Sequence, residues 1–157
     1  MQIAKLGVIG AGMMGAEIAL VFAMAGKSVM LNDTAQERLD EALKNLSAVL
    51  DTGISRKFWT EEDKTVTLAN IIPTTNLQDF SDRQMVIEAV FEDAEVKGQV
   101  FKKIDKILDP NCIVASNTSS ISITVLSANV SEARQKNFVG LHFFSPVHRM
   151  KLVEVIN

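Results

Sequence analysis

Short apolar runs alternate with longer segments of helical period along most of the chain, and the change of period marks the elements. Ile3 to Ile9 reads as a strand, followed by a helix from about Met13 to Ala25 that Gly26 can close in a left-handed cap. Val29 to Leu31 is a second short strand. Thr34 and Glu37 have the spacing of a capping box, and Leu39, Ala42, Leu43, Leu46 and Leu50 lay an apolar stripe along the helix they would open. Thr60 with Asp63 opens another short helix, and Ile71–Ile72 form a strand stopped by Pro73. Met85 to Val90 is strongly strand-like. Val96, Val100, Phe101, Ile104, Ile107 and Leu108 mark one helix face that ends before Pro110. Cys112 to Ala115 is a strand, Ile121 to Leu126 a short helix, and Phe138 to Phe143 and Leu152 to Ile156 two further strands. Near-continuous apolar strands separated by amphipathic helices predict a doubly wound α/β domain, a mostly parallel Rossmann-type sheet covered on both faces.

Composition adds limits. A chain of 157 residues with no repeat or low-complexity tract is expected to form one domain over 1–157. A net charge of -3 offers no electrostatic footprint for nucleic acid. The longest apolar run, Ile18 to Ala25, is far shorter than the ~20 residues that span a bilayer, and no signal pattern opens the chain. A soluble, cytoplasmic protein is expected, without a nucleic-acid or membrane partner. One cysteine, Cys112, and two histidines, His142 and His148, give neither a disulfide framework nor a zinc spacing, so no metal is expected.

Gly10-Ala11-Gly12-Met13-Met14-Gly15 stands directly after a predicted strand and opens a predicted helix. In that setting the first glycine permits the tight turn, the second lets a pyrophosphate approach the backbone, and the third lets helix and strand pack closely. The phosphate charge then meets the free N–H groups at the helix start. Asp33 follows the second strand, where a carboxylate can accept from the ribose hydroxyls and repel a 2′-phosphate, which favours NAD over NADP. The amide of Asn32 would suit either ribose form.

A second constellation lies near the end of the chain. His142 ends a strand, and Glu154 is an acid inside an otherwise apolar one, where an unpaired carboxylate is costly. If the chain reverses through Pro146 to Met150, these two positions are symmetric about the turn and face each other. A carboxylate-held imidazole is a suitable general base for the proton that accompanies hydride transfer. His148 has no evident acidic partner and reads as a turn or surface residue. Ser116-Asn117-Thr118-Ser119-Ser120 follows another strand, where hydroxyls and an amide either meet a ligand or cap the next helix.

Taken together, VIGAGMMG, the acid at Asp33, IEAVFEDAEVK, ASNTSSISI and GLHFFSPVHRMKLVEVI, in this order, are similar to the N-terminal NAD-binding domain of the 3-hydroxyacyl-CoA dehydrogenase family. HFFSPVHRM is especially similar to the dehydrogenase part of multifunctional fatty-acid oxidation proteins, with monofunctional 3-hydroxybutyryl-CoA enzymes close behind. The resemblance implies NAD-dependent oxidation of an (S)-3-hydroxyacyl-CoA in fatty-acid metabolism. It makes His142 the base, Glu154 its orienting acid and Ser119 a contact to substrate oxygen and nicotinamide. It makes Gly10, Ala11, Gly12, Met13, Met14 and Gly15 the pyrophosphate turn, Asp33 the ribose site, and Glu92 and Lys97 further NAD contacts, where residues alone suggest a solvated helix start. Ser145 stands where the family commonly has an asparagine that helps hold the nicotinamide. The family positions that grip the CoA moiety do not transfer clearly onto this sequence; Arg56 and Lys57 are candidate charge partners for its phosphates by their charge alone. The resemblance also implies a following all-helical domain, absent from this chain, that completes the acyl-CoA cleft, and a full-length homodimer or multifunctional complex. Two other readings stand beside it: a non-catalytic NAD-binding or scaffolding module, and another hydroxy-acid dehydrogenase.

Overall fold

The computed structural model describes residues 3–157. Its strands are β1 (Lys5–Ile9), β2 (Ser28–Asn32), β3 (Ile71–Thr74), β4 (Met85–Glu88), β5 (Ile113–Ser116), β6 (Phe138–Phe143) and β7 (Val153–Ile156). Its helices are α1 (Met13–Met24), α2 (Gln36–Ser55), α3 (Glu61–Ala69), α4 (Ala94–Ile104), α5 (Ile123–Ser127) and α6 (Glu132–Gln135), with a 3₁₀ segment over Leu77–Asp82. The strands form one seven-stranded sheet in the order β3-β2-β1-β4-β5-β6-β7. All neighbours are parallel except β6 and β7. The mostly parallel α/β expectation is met.

Period-two alternation divides the core between the faces of the sheet. Leu6, Val8, Met85 and Ile87 point to the side packed with Ile18, Leu20, Leu39 and Leu46 of α1 and α2. Ile9 and Val86 point to the other side, with Phe80, Phe101, Ile104 and Leu126. Helix α1 buries residues around much of its circumference, which suits a central helix wedged between the sheet and α2–α3.

Several boundaries differ from the sequence reading. Thr34 does not cap α2: its N-cap is Ala35, without a side-chain bond, and the Thr34 N–H donates to Asp33 Oδ1 at 2.8 Å. Pro73 does not stop β3 but lies inside it, because β3 is an edge strand and has a side where a missing N–H is harmless. Helix α4 ends at Ile104 rather than near Leu108. The expected box at α3 is present, with Asp63 N–H donating to Thr60 Oγ1 at 3.1 Å and Thr60 N–H to Asp63 Oδ2 at 2.8 Å. Gly26 is left-handed, with φ +74°.

What matters for function is the reversal of strand order. From β1 the chain builds outward to β2 and β3, then returns to place β4 on the other side of β1. The crevice outside the carboxyl ends of β1 and β4 is the topological switch point, where open α/β sheets bind ligands.

Candidate active site

At the end of β1, Gly10 has φ +102°, and a Cβ there would lie 2.7 Å from the Ala89 carbonyl oxygen. A Cβ on Gly15 would lie 1.8 Å from the Gly10 carbonyl oxygen, so only glycine lets α1 sit this close to the turn. A Cβ on Gly12 would meet nothing within 4 Å. Gly12 is the N-cap of α1 and no side chain caps it. The opening turn of this helix therefore presents backbone donors beside open space that a methyl group would partly fill, which fits a pyrophosphate. Met13 extends from this turn into solvent, Met14 is half-buried, and Ala11 is buried.

Asp33 stands beside the turn at the end of β2. Its Oδ2 accepts from Ala11 N–H at 2.9 Å and its Oδ1 from Thr34 N–H, so it braces the glycine turn while keeping lone pairs for further donors. Asn32 is committed elsewhere: it is buried and its Nδ2 donates to the Thr74 carbonyl at 2.9 Å. That leaves the amide one N–H and its Oδ1 at most for a ribose contact.

Across the switch point, β6 and β7 pair with His142 opposite Glu154, the register that symmetry about the turn implied. His142 Nδ1 lies 2.7 Å from Glu154 Oε2, and His142 Nε2 lies 3.1 Å from Ser119 Oγ. With the proton on Nδ1 shared with the carboxylate, Nε2 is left as the acceptor facing Ser119. Glu154 is 53% exposed, so β7 is an open edge rather than the buried strand its apolar residues suggest. His148 differs from expectation too. It sits in the turn, but its ring packs against Trp59, with centroids 6.4 Å apart, and its Nδ1 is buried 4.0 Å from Glu17 Oε1.

Between these two halves runs a network the sequence reading missed in part. Glu88 ends β4 in register with Ile9 and Ser116, and its carboxylate is 0% exposed. Glu88 Oε1 accepts from Lys97 Nζ at 2.7 Å and from Val90 N–H at 2.7 Å, while Oε2 accepts from Ser116 Oγ at 2.6 Å. Lys97 is no part of a solvated helix start. Asp93 caps α4 by accepting from Glu95 and Val96 N–H, and one turn later Lys97 points inward with Gly98, Phe101 and Ile104. Its ammonium is wholly enclosed and also reaches Glu92 Oε2 at 3.3 Å and the Val90 carbonyl at 3.4 Å.

Glu92 carries the network to Ser119. Its Oε1 accepts from Thr118 Oγ1, from Ser119 N–H at 3.0 Å and from Ser120 N–H at 3.3 Å. Burial opposes ionisation of Glu92, but these hydrogen bonds and the Lys97 charge outweigh it and lower its pKa. Burial raises the pKa of Glu88, against the pull of Lys97 and the surrounding donors. The signal for Glu88 was available: a lone acid in the apolar run Met85 to Val90, the feature that singled out Glu154.

Other expected residues are more peripheral. Asn117 spends its Oδ1 on Phe143 N–H at 3.0 Å and joins β5 to β6. Thr118 Oγ1 accepts from Ile121 N–H at 3.0 Å, which closes the turn ahead of α5; the N-cap of α5 is Ser122, without a side-chain bond, so this segment does not cap that helix. Ser145 is exposed at the start of the β6–β7 turn. Arg56 lines a cleft of about 1030 Å³ between the end of α2 and that turn, together with Trp59, His148, Arg149 and Lys151. Lys57 follows with φ 62°.

Residues 5–157 match the family model described as "3-hydroxyacyl-CoA dehydrogenase, NAD binding domain". The chain is 46% identical to a 3-hydroxybutyryl-CoA dehydrogenase of Bradyrhizobium diazoefficiens, over 98% of this chain and 52% of the relative. It is also 46% identical to a fatty acid oxidation complex subunit alpha of a Psychrobacter species, over 99% of this chain and 21% of the relative. The crystal structure of an (S)-3-hydroxybutyryl-CoA dehydrogenase from Ralstonia eutropha superposes with a TM-score of 0.94 at 40% identity, covering 98% of this chain and 54% of that one. The chain thus spans about half the length of the first of these relatives and about a fifth of the second. No helix among the described residues is long and apolar enough to cross a membrane.

Proposed function

The chain belongs to the 3-hydroxyacyl-CoA dehydrogenase family as its NAD-binding domain, and from that premise we propose that it supplies the cofactor site and the general base for oxidation of (S)-3-hydroxyacyl-CoA to 3-oxoacyl-CoA, or the reverse reduction. The observation that carries the reading is the Ser119–His142–Glu154 relay, with 3.1 Å and 2.7 Å links, at the same carboxyl edge of the sheet as the glycine turn.

Gly10 to Gly15 would hold the pyrophosphate, Asp33 the ribose hydroxyls, and Ser119 with Ser145 the nicotinamide end. Bound there, NAD supplies the acceptor for the hydride. His142 Nε2 takes the proton of the substrate hydroxyl, and Glu154 keeps Nδ1 protonated and balances the imidazolium that forms. Ser119 Oγ orients the reacting oxygen toward Nε2. Lys97 acts through Glu88 and Glu92, fixing the loop that carries Ser119.

A serine hydrogen-bonded to a histidine that meets an acid also resembles an acyl-transfer relay. Here the N–H groups of Ser119 and Ser120 point at the Glu92 carboxylate, so the donors an oxyanion would need are already taken by a negative charge. That favours proton abstraction over nucleophilic attack by Ser119.

Arg56, with Arg149 and Lys151 in the same cleft, is proposed to face the CoA phosphates, and Lys57, which follows Arg56 but does not line the cleft, to add to the positive charge there. The following helical domain is proposed to cover the open side of β7, where Leu152, Val153, Val155 and Ile156 are exposed. The relatives are longer than this chain, and one is named a fatty acid oxidation complex subunit; the full-length protein is proposed to be a cytoplasmic homodimer or part of such a multifunctional complex.

The test is NADH oxidation by the full-length protein with acetoacetyl-CoA, against free acetoacetate and against NADPH. Activity confined to the CoA ester with NADH is expected. Preference for the free acid would move the protein to another class of hydroxy-acid dehydrogenase, and NAD binding without turnover of any ester would make it a binding module.

A further inference from the structure

Helix α1 reads MMGAEIALVFAM, and Glu17 is its only charged residue. Its carboxylate is largely enclosed and turned toward a distant part of the chain. Glu17 Oε2 accepts the backbone N–H of Val147 at 2.6 Å, and Oε1 lies 4.0 Å from His148 Nδ1. Val147 is itself buried in the core cluster shared with α1. The turn it occupies is otherwise closed by Arg149 and Met150 N–H donating to the Pro146 carbonyl, at 2.9 and 3.0 Å. That turn is the link between β6 and β7, and its conformation sets the register that puts Glu154 opposite His142. Nearer the base, α1 touches β6 again through the edge-to-face contact of Phe22 with Phe143, ring centroids 6.3 Å apart.

We infer that Glu17 is a positioning residue for the proposed base: by accepting the Val147 N–H it pins the β6–β7 turn to the helix that carries the dinucleotide turn, and so holds Glu154 against His142 Nδ1. The inference rests on the reading of His142 as the base. A carboxylate in an apolar helix is costly without such a partner, and a hydrogen bond from a backbone amide to a charged acceptor is among the stronger ones. One helix thereby fixes both reactant sites, with its first turn toward the cofactor and its second toward the base.

The chain has two histidines, so ¹⁵N imidazole spectra resolve His142 and His148 directly. In the wild type His142 is expected as the Nδ1–H tautomer, and the Val147 amide is expected to exchange slowly. Glu17→Ala should mix the His142 tautomers and speed Val147 exchange about tenfold or more, since the bond it removes is charge-assisted. Glu17→Gln keeps a carbonyl acceptor and should restore both. In the full-length protein Glu17→Ala should lower kcat about tenfold or more with KM for NADH unchanged, as a small misplacement of a reacting group does. Should Glu17→Ala fail to fold, Glu17→Met of similar volume takes its place, and fast Val147 exchange in the wild type would by itself overturn the inference. An unchanged His142 tautomer in Glu17→Ala, or Glu17→Gln behaving like Glu17→Ala, would also overturn it. Absence of wild-type NADH oxidation would instead count against the proposed function, leaving the tautomer and exchange results to decide on Glu17.

Discussion

Gly12 and Gly15 share the opening turn of α1, yet a methyl group would meet nothing within 4 Å at Gly12 and the Gly10 carbonyl oxygen at 1.8 Å at Gly15. The two positions therefore separate binding from folding. Gly12→Ala should leave the melting temperature near that of the wild type and weaken NAD binding at least ~10-fold, because the added carbon stands where the pyrophosphate approaches. Gly15→Ala should lower the melting temperature as well, since helix or turn must shift. Calorimetric titration with NAD alongside thermal denaturation checks both. Equal losses of stability in the two variants would contradict the assignment of Gly12.

The buried Glu88–Lys97 pair gives a sharper energetic test. Removing one partner leaves an uncompensated charge in a fully enclosed site, which costs about 3–5 kcal/mol, whereas replacing both with apolar or neutral groups is often nearly neutral. Lys97→Met is expected to destabilise strongly. Lys97→Met with Glu88→Gln should recover much of that loss. Denaturant unfolding of the two singles and the double forms the cycle, and additive losses would show that the pair is not coupled.

Part of the acid sensitivity should trace to Asp105. Burial resists its ionisation, but Arg134 Nε at 2.5 Å and the Ser131 N–H at 2.9 Å prevail and lower its pKa. A folded-state pKa below the unfolded one contributes stability that is present above the unfolded carboxylate range and lost as pH falls through the folded value. Melting temperature measured from neutral pH down through the carboxylate range should fall less steeply in Asp105→Asn, from a lower starting point. An unchanged slope would remove Asp105 from the explanation.

Cys112 lies just before β5 with its thiol buried, and burial pushes its pKa up to about 11. Thiolate is the reactive form, so little of it is present in the folded protein near pH 8. Iodoacetamide should leave Cys112 unmodified in the native protein and label it on unfolding. Stoichiometric labelling of the native state within minutes would contradict the burial.

Much of the fold was written in local pattern. The runs around Val8, Met30, Ile71, Val86, Val114, Leu141 and Val155 mark the seven strands in the right order, because each is short, apolar and bounded by turn chemistry. The His142–Glu154 pairing was accessible because a hairpin is symmetric about its turn. What the sequence hid depended on contacts far along the chain. Lys97 looks solvated from its neighbours Glu95 and Lys102, and only the approach of β4 and β5 encloses it. Glu17 meets Val147 across 130 positions, which no local period can signal. Thr34 has the spacing of a cap, but Asp33 already holds its N–H while bracing the glycine turn, so the local preference yields to the site.

The most direct measurement is turnover of acetoacetyl-CoA by the full-length protein carrying His142→Gln, with NADH affinity determined on the same preparation. Glutamine cannot take the proton at the position of Nε2, while nothing in the glycine turn depends on it. A kcat reduced about 10²-fold or more with NADH affinity unchanged is expected. A variant that turns over at the wild-type rate would contradict the role of His142, and with it the reading of the Ser119–His142–Glu154 relay.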